Sequence, residues 1–209
     1  MLYYDKRFKE GWLIAIWHVT EDLEELLYLL PDDESVRTEA RERFKSESRI
    51  LEWTAVRVLL FDMLDRQVEI SYDEDGAPHL PEDEHLDISI SHTKDYVAIA
   101  LAQQGEIGID IEQISDRVNR VKSRFVRDDE QAETINELLL HWSAKETAFK
   151  MLHRRKVDFL KHFRITPFMV EEEGTFQLQE YRTDDEQLID ISYKVFPEIV
   201  LTFACNVDD

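Results

Sequence analysis

The stretch LDISISHTKDYVAIALAQQGEIGIDIE, residues 86–112, decides the fold. Residues 86–91 alternate apolar and polar side chains, the period of a half-buried strand. Residues 96–102, YVAIALA, are its partner, and the short run SHTKD joins the two as a tight turn. IGIDIE at 107–112 is a further strand, with Asp110 and Glu112 on one face and Ile109 and Ile111 on the other.

Outward from this stretch, strands and long helices occur in blocks. Upstream, GWLIAIW (11–17) reads as a buried strand. Residues 21–30 are helical and stop at Pro31, and the pattern from 33 to 65 predicts one long helix with Phe44, Leu51, Ala55, Val58 and Leu59 near a common face. Residues 72–81, YDEDGAPHLP, are turn chemistry. Downstream, a basic helical stretch covers 116–128, a strongly apolar helix covers 134–152, and FRITPFMVE, TFQLQEY, IDISYKVF and IVLTFAC are strands. DISISH with YVAIALA is echoed by DISYKV with IVLTFACN, each pair after a long helix, although amphipathic strands also resemble one another by chance. The expected class is α+β, with two pseudo-repeated halves, 1–104 and 105–209, each an antiparallel sheet packed on a long helix.

Composition excludes several classes. With 43% hydrophobic and 11% aromatic residues the chain is globular and not disordered. A net charge of −21 argues against a nucleic-acid binder, whose affinity rests on phosphate contacts. No apolar run approaches about 20 residues, so no membrane span is expected. The start MLYYDKRFKEGW has no basic-then-apolar signal pattern, which points to the cytoplasm. The one cysteine, Cys205, rules out an internal disulfide framework and is expected as a buried thiol.

Three elements carry chemistry. Asp110 and Glu112 repel unless a cation lies between them, and an all-oxygen pair favours Mg²⁺ over zinc; the plain alternative is a solvated strand face. Trp142, Glu146 and Lys150 share a helical stripe at i, i+4, i+8, which offers a third carboxylate and a phosphate-neutralising lysine, or an ordinary surface pair. Ser91, His92 and Thr93 form a strand-end turn suited to holding a phosphate, with no catalytic-triad spacing.

In order and spacing, ISISHT (88–93), YVAIALA (96–102), IGIDIE (107–112), RFVRDDE (124–130) and WSAKETAFK (142–150) resemble the 4′-phosphopantetheinyl transferases, in their larger, pseudo-duplicated monomeric class. FKSESRILEWTAVRVLL resembles that family's N-terminal helix. The resemblance implies Mg²⁺ ligands at Asp110, Glu112 and Glu146, and coenzyme A as co-substrate. It implies an apo acyl or peptidyl carrier protein as acceptor, and an active site between the halves of a monomer. It further implies that Lys150 contacts the pyrophosphate and helps 3′,5′-ADP to leave. His92 with Ser91, and Arg49 or Arg57, would hold the adenosine 3′-phosphate end. Glu130 or Glu146 would take the proton of the acceptor serine.

Two departures from the family pattern stand out. Gly76-Ala77-Pro78 replaces a common Gly-Lys-Pro, and the charged run at 153–156 replaces a glycine-rich turn. Arg117, Arg120, Arg124 and Arg127 would form one basic helical stripe for an acidic carrier protein, or a solvated face paired with Asp128, Asp129 and Glu130; 153–156 is the competing docking site. A metal-dependent phosphohydrolase and a non-catalytic coenzyme A-binding module are the rival readings.

Overall fold

A computed structural model of the chain describes residues 1–103, 105–152, 157–182 and 186–206. The charged run at 153–156 lies outside the described residues. The chain divides into two units, Met1–Gln104 and Gly105–Asp209. The class is α+β, and every strand pairing is antiparallel.

The first unit contains β1 (Leu2–Arg7), β2 (Trp12–His18), α1 (Leu23–Tyr28), α2 (Asp33–Arg43), α3 (Glu47–Leu64), the short pair β3 (Ser71–Tyr72) and β4 (Pro78–His79), then β5 (Asp87–Thr93) and β6 (Tyr96–Ala102). Its main sheet has the order β1-β2-β6-β5. Edge strand β1 escapes the sequence pattern because almost all its side chains are exposed and no alternation marks it. α3 is the most buried helix here: Ile50, Trp53, Ala55, Val56, Val58, Leu59 and Leu60 join Ala15 and Trp17 of β2 and Val97, Ile99 and Leu101 of β6 in one core.

The long helix expected over 33–65 is in fact two. Phe44 turns extended (φ −129°, ψ 143°) and Ser46 caps the new start with its carbonyl accepting from Arg49 and Ile50 N–H. The physical signal was present: Ser46 followed by Glu47 is a helix start. The break brings Phe44 against Trp53, with ring centroids 6.5 Å apart.

The second unit contains β7 (Glu106–Gln113), α4 (Ile135–Met151), α5 (Phe159–His162), β8 (Phe163–Ile165), β9 (Glu173–Glu180), β10 (Leu188–Val195) and β11 (Ile199–Asn206). The sheet order is β7-β11-β10-β9-β8. α4 begins with a reciprocal cap between Thr134 and Glu137 and packs on β7 and β11. Gly108 is what allows the approach: a Cβ there would meet the Thr147 carbonyl oxygen at 2.3 Å and Met151 Cβ at 3.0 Å.

The basic segment differs from expectation. Asp116–Arg120 and Lys122–Arg124 are two short 3₁₀ turns, with Val118 and Phe125 buried as their anchors. No continuous α-helix places four arginines in a line. Arg117, Arg120 and Arg124 are exposed, whereas Arg127 donates to Asp129 (2.8 Å) and to the Leu160 carbonyl (2.7 Å). Cys205 is half-buried instead of buried, because β11 ends one residue later. Among the described residues no helix is long and apolar enough to cross a membrane.

Candidate functional site

In the second unit β7 and α4 bring a set of charged groups together. On β7 the residues with even numbers face α4: Gly108 meets Thr147, Asp110 meets Ser143 and Lys150, and Glu112 meets Trp142. On α4 the i, i+4 spacing supplies the other half. Trp142 Nε1 donates to Glu112 Oε1 at 2.7 Å. Lys150 Nζ donates to Asp110 Oδ1 at 2.8 Å and to the Ile109 carbonyl at 3.0 Å. Ser143 Oγ donates to Asp110 Oδ2 at 2.8 Å.

Asp110 is 4% exposed, so its charge needs these partners. A chain of hydroxyls stands behind them. Ser143 Oγ lies 2.8 Å from Thr202 Oγ1, which lies 2.7 Å from Thr147 Oγ1. With Ser143 giving its proton to Asp110 and Thr147 Oγ1 donating to the Thr202 carbonyl at 3.2 Å, the Thr202 hydroxyl has two acceptors within reach, Ser143 Oγ and Thr147 Oγ1. The pairing Asp110↔Thr202 between β7 and β11 puts this chain in register. Ser143, Thr147 and Thr202 were not singled out from sequence; the i, i+4 repeat of small hydroxyls in WSAKET is the signal that marks them.

Glu146 sits one turn from both Trp142 and Lys150. Burial, with the Asp110 and Glu112 carboxylates beside it, pushes its carboxyl up from 4.5 to about 7, against the opposing pull of Lys150. Among the described residues, three carboxylates therefore share one neighbourhood with the Lys150 ammonium. Among the described residues no group of three or more His, Cys, Asp or Glu stands poised around a common metal position. In this arrangement Asp110 and Glu112 point to protein donors. The donor chemistry nonetheless fits a hard divalent cation, because the candidate ligands are all carboxylate oxygens.

Glu130 is placed elsewhere. It forms a buried ion pair with Lys145 at 2.8 Å, both side chains at 0% exposure. Its oxygens also accept from Arg127 N–H (2.8 Å) and Ile165 N–H (2.7 Å), while Lys145 donates to the Phe125 carbonyl (2.6 Å). A carboxylate closed in by three donors is a clamp between the 3₁₀ segment, α4 and β8, not a group open to an incoming hydroxyl.

In the first unit the break between α2 and α3 opens a cleft of about 370 Å³ lined by Arg43, Phe44, Arg49, Glu52, Trp53, Arg57, Tyr72 and His92, among others. Each guanidinium lies over an aromatic ring: Arg43 over Tyr72 (5.9 Å), Arg49 over Phe44 (5.7 Å) and Arg57 over Trp53 (3.3 Å). Arg57 is 6% exposed, and burial pushes it below its ordinary value despite Tyr72 and Glu39 nearby. It donates to the Trp53 carbonyl at 3.3 Å and has no carboxylate at ion-pair distance among the described residues. Ser91 and His92, expected to act together, fall on opposite faces of β5: His92 lines the cleft, while Ser91 is buried and does not. Arg43, Phe44, Glu52 and Tyr72 were not anticipated, since the cleft exists only because the helix breaks.

Comparison with known proteins gives a consistent result. Residues 106–204 match the family model described as the 4′-phosphopantetheinyl transferase superfamily. The 4′-phosphopantetheinyl transferase AcpT of Escherichia coli O157:H7 is 38% identical over 79 residues, 38% of this chain and 40% of that protein. The protein of the same name in Salmonella typhi is 40% identical over 67 residues, 32% of this chain and 35% of that protein. The chain thus aligns with 40% or less of the length of these relatives.

Proposed function

We infer, from a chain that belongs over residues 106–204 to the 4′-phosphopantetheinyl transferase superfamily, that this protein transfers the 4′-phosphopantetheine group of coenzyme A to a serine of an apo acyl or peptidyl carrier protein. The activity is of the holo-[acyl-carrier-protein] synthase type, Mg²⁺-dependent, and releases 3′,5′-ADP. The observation that carries the reading is the three-carboxylate neighbourhood with Lys150 inside it. Asp110, Glu112 and Glu146 are the residues that would hold Mg²⁺, which would supply a Lewis acid for the pyrophosphate.

The reaction is a displacement at the phosphorus bearing the pantetheine arm. The serine oxygen forms a bond to that phosphorus, and the bond to the oxygen bridging the two phosphates breaks. The electron pair leaves with 3′,5′-ADP, and the serine proton goes to a base. Lys150 neutralises the charge gathering on the leaving phosphate. Of the two candidate bases, Glu146 is favoured, directly or through water, because Glu130 is closed in by its own donors. Trp142 holds Glu112, and the Thr147–Thr202–Ser143 chain holds Asp110, so these carboxylates enter the reaction already oriented. The adenosine 3′-phosphate end is assigned to the arginine-lined cleft, with Arg57, Arg49 and His92 as cationic contacts and Arg43 added to them.

The test is mass spectrometry of a panel of apo carrier proteins incubated with the protein, coenzyme A and Mg²⁺. The expected result is gain of the phosphopantetheine mass on serine, lost in Asp110→Ala. Cleavage of coenzyme A without any acceptor, or no gain on any carrier, overturns the reading.

A further inference from the structure

The arginine-lined cleft contains a carboxylate, which is out of place in a site for phosphate. Glu52 projects from α3 into its lining, with its side chain 20% exposed. An uncompensated anion there would repel the ligand. Glu52 is compensated: His92 Nδ1 from β5 donates to Glu52 Oε1, and Arg49 Nη1 approaches both carboxylate oxygens at 3.5 Å. His92 and Arg49 are 46% and 52% exposed, and besides Glu52 Arg49 has the Phe44 ring beneath it at 5.7 Å.

We propose that Glu52 is the positioning residue of this cleft, holding His92 and Arg49 so that their remaining N–H groups face a ligand phosphate. The proposal rests on the assignment of the adenosine 3′-phosphate to the cleft. With Nδ1–H given to Glu52, the imidazole cannot swing away, and any proton on Nε2 is left for the ligand. Arg49 offers five donors and spends only one nitrogen on Glu52. Charge is conserved in favour of the ligand: Arg43, Arg49 and Arg57 against one Glu52 still leave the cleft positive. Glu52 exchanges one unit of attraction for two side chains fixed in place.

A positioning role gives a sign opposite to simple electrostatics. If Glu52 were only a nearby anion, its removal would tighten phosphate binding. As a positioning residue, its removal weakens binding, and only for ligands that carry the 3′-phosphate.

Calorimetric titration of the full chain with 3′,5′-ADP and with 5′-AMP separates the cases. Wild type should prefer 3′,5′-ADP. Glu52→Ala should weaken 3′,5′-ADP by about tenfold, the scale of one hydrogen bond to a charged group, while 5′-AMP binding changes little and reports that the cleft is still formed. Glu52→Gln, which keeps an acceptor for His92, should recover part of the loss. In a His92→Ala background the Glu52→Ala effect should shrink. In turnover, Glu52→Ala should raise KM for coenzyme A with kcat nearly unchanged. Wild type that fails to discriminate the two nucleotides overturns the 3′-phosphate assignment, and this proposal with it. Discrimination by wild type with equal or tighter 3′,5′-ADP binding in Glu52→Ala overturns the positioning role alone. If Glu52→Ala does not fold, Glu52→Gln decides: discrimination equal to or above wild type refutes the proposal, and a partial loss supports it.

Discussion

Lys145→Met should be among the most destabilising substitutions in this chain, although Lys145 touches nothing in the carboxylate neighbourhood of Asp110. Lys145 and Glu130 are both at 0% side-chain exposure and 2.8 Å apart. Burial pushes the Lys145 ammonium below its ordinary value, with the Glu130 carboxylate pulling the other way. Methionine fills much of the same volume, so the cost is chiefly electrostatic. It leaves the Phe125 carbonyl without its donor and leaves Glu130 with only the Arg127 and Ile165 N–H groups. The expected loss is the roughly 3–5 kcal/mol typical of removing one partner of a buried pair.

The assay is urea unfolding at pH 7, with the double mutant Lys145→Met/Glu130→Gln closing the cycle. The double mutant should be less destabilised than the sum of the singles by about 2 kcal/mol or more. A loss below about 1 kcal/mol for Lys145→Met, or additivity in the cycle, refutes the clamp. Glu130→Gln also tests function: its pH–rate profile, per folded molecule, should match wild type, whereas a shifted or flattened profile would restore Glu130 as the base.

Three further outcomes are expected. Gly108→Ala forces a Cβ toward the Thr147 carbonyl oxygen at 2.3 Å and should cost about 1–3 kcal/mol in urea unfolding, with activity falling as α4 is pushed from β7. Glu146, raised to about 7, makes the folded state the one that holds the proton between the ordinary 4.5 and 7, so stability should fall as pH rises through that window by about 2–3 kcal/mol without metal; Glu146→Gln should remove this part of the slope, seen as the wild-type minus mutant difference between pH 5 and pH 8. Charge reversal at the exposed Arg120 and Arg124 should raise KM for the carrier protein and leave KM for coenzyme A unchanged, and equal constants would dismiss this segment as a docking surface.

The parts of the fold legible in sequence are those governed by one period. The hairpin of β5 and β6, strand β7 and helix α4 with its cap all follow from alternation or helical spacing within a single element. What was hidden depends on a break or on a partner. The 33–65 pattern keeps its apolar face across Phe44–Lys45–Ser46, so periodicity alone joins α2 to α3 and conceals the cleft. The arginines of 117–127 have helical spacing, and so do the buried Val118 and Phe125, seven residues apart, so period alone does not tell these 3₁₀ turns from an α-helix. Glu130 looks like any acid in a charged run, and only the depth of Lys145 on α4 reveals its role.

The same distinction separates Asp110 and Glu112 from ordinary strand carboxylates. An Asp-x-Glu pair on a solvated strand face has water to stabilise it and needs no further partner. Here the missing side chain at Gly108 lets α4 lie so close to β7 that Asp110 is removed from water. That closeness has three consequences with one cause. Ser143 and Lys150 come within hydrogen-bond reach of Asp110, Trp142 within reach of Glu112, and Glu146 is held among like charges. The cluster is therefore set by a glycine that carries no chemistry of its own. A glycine two residues before an aspartate on a strand beside an apolar helix is the feature that turns two commonplace acids into a candidate cation site.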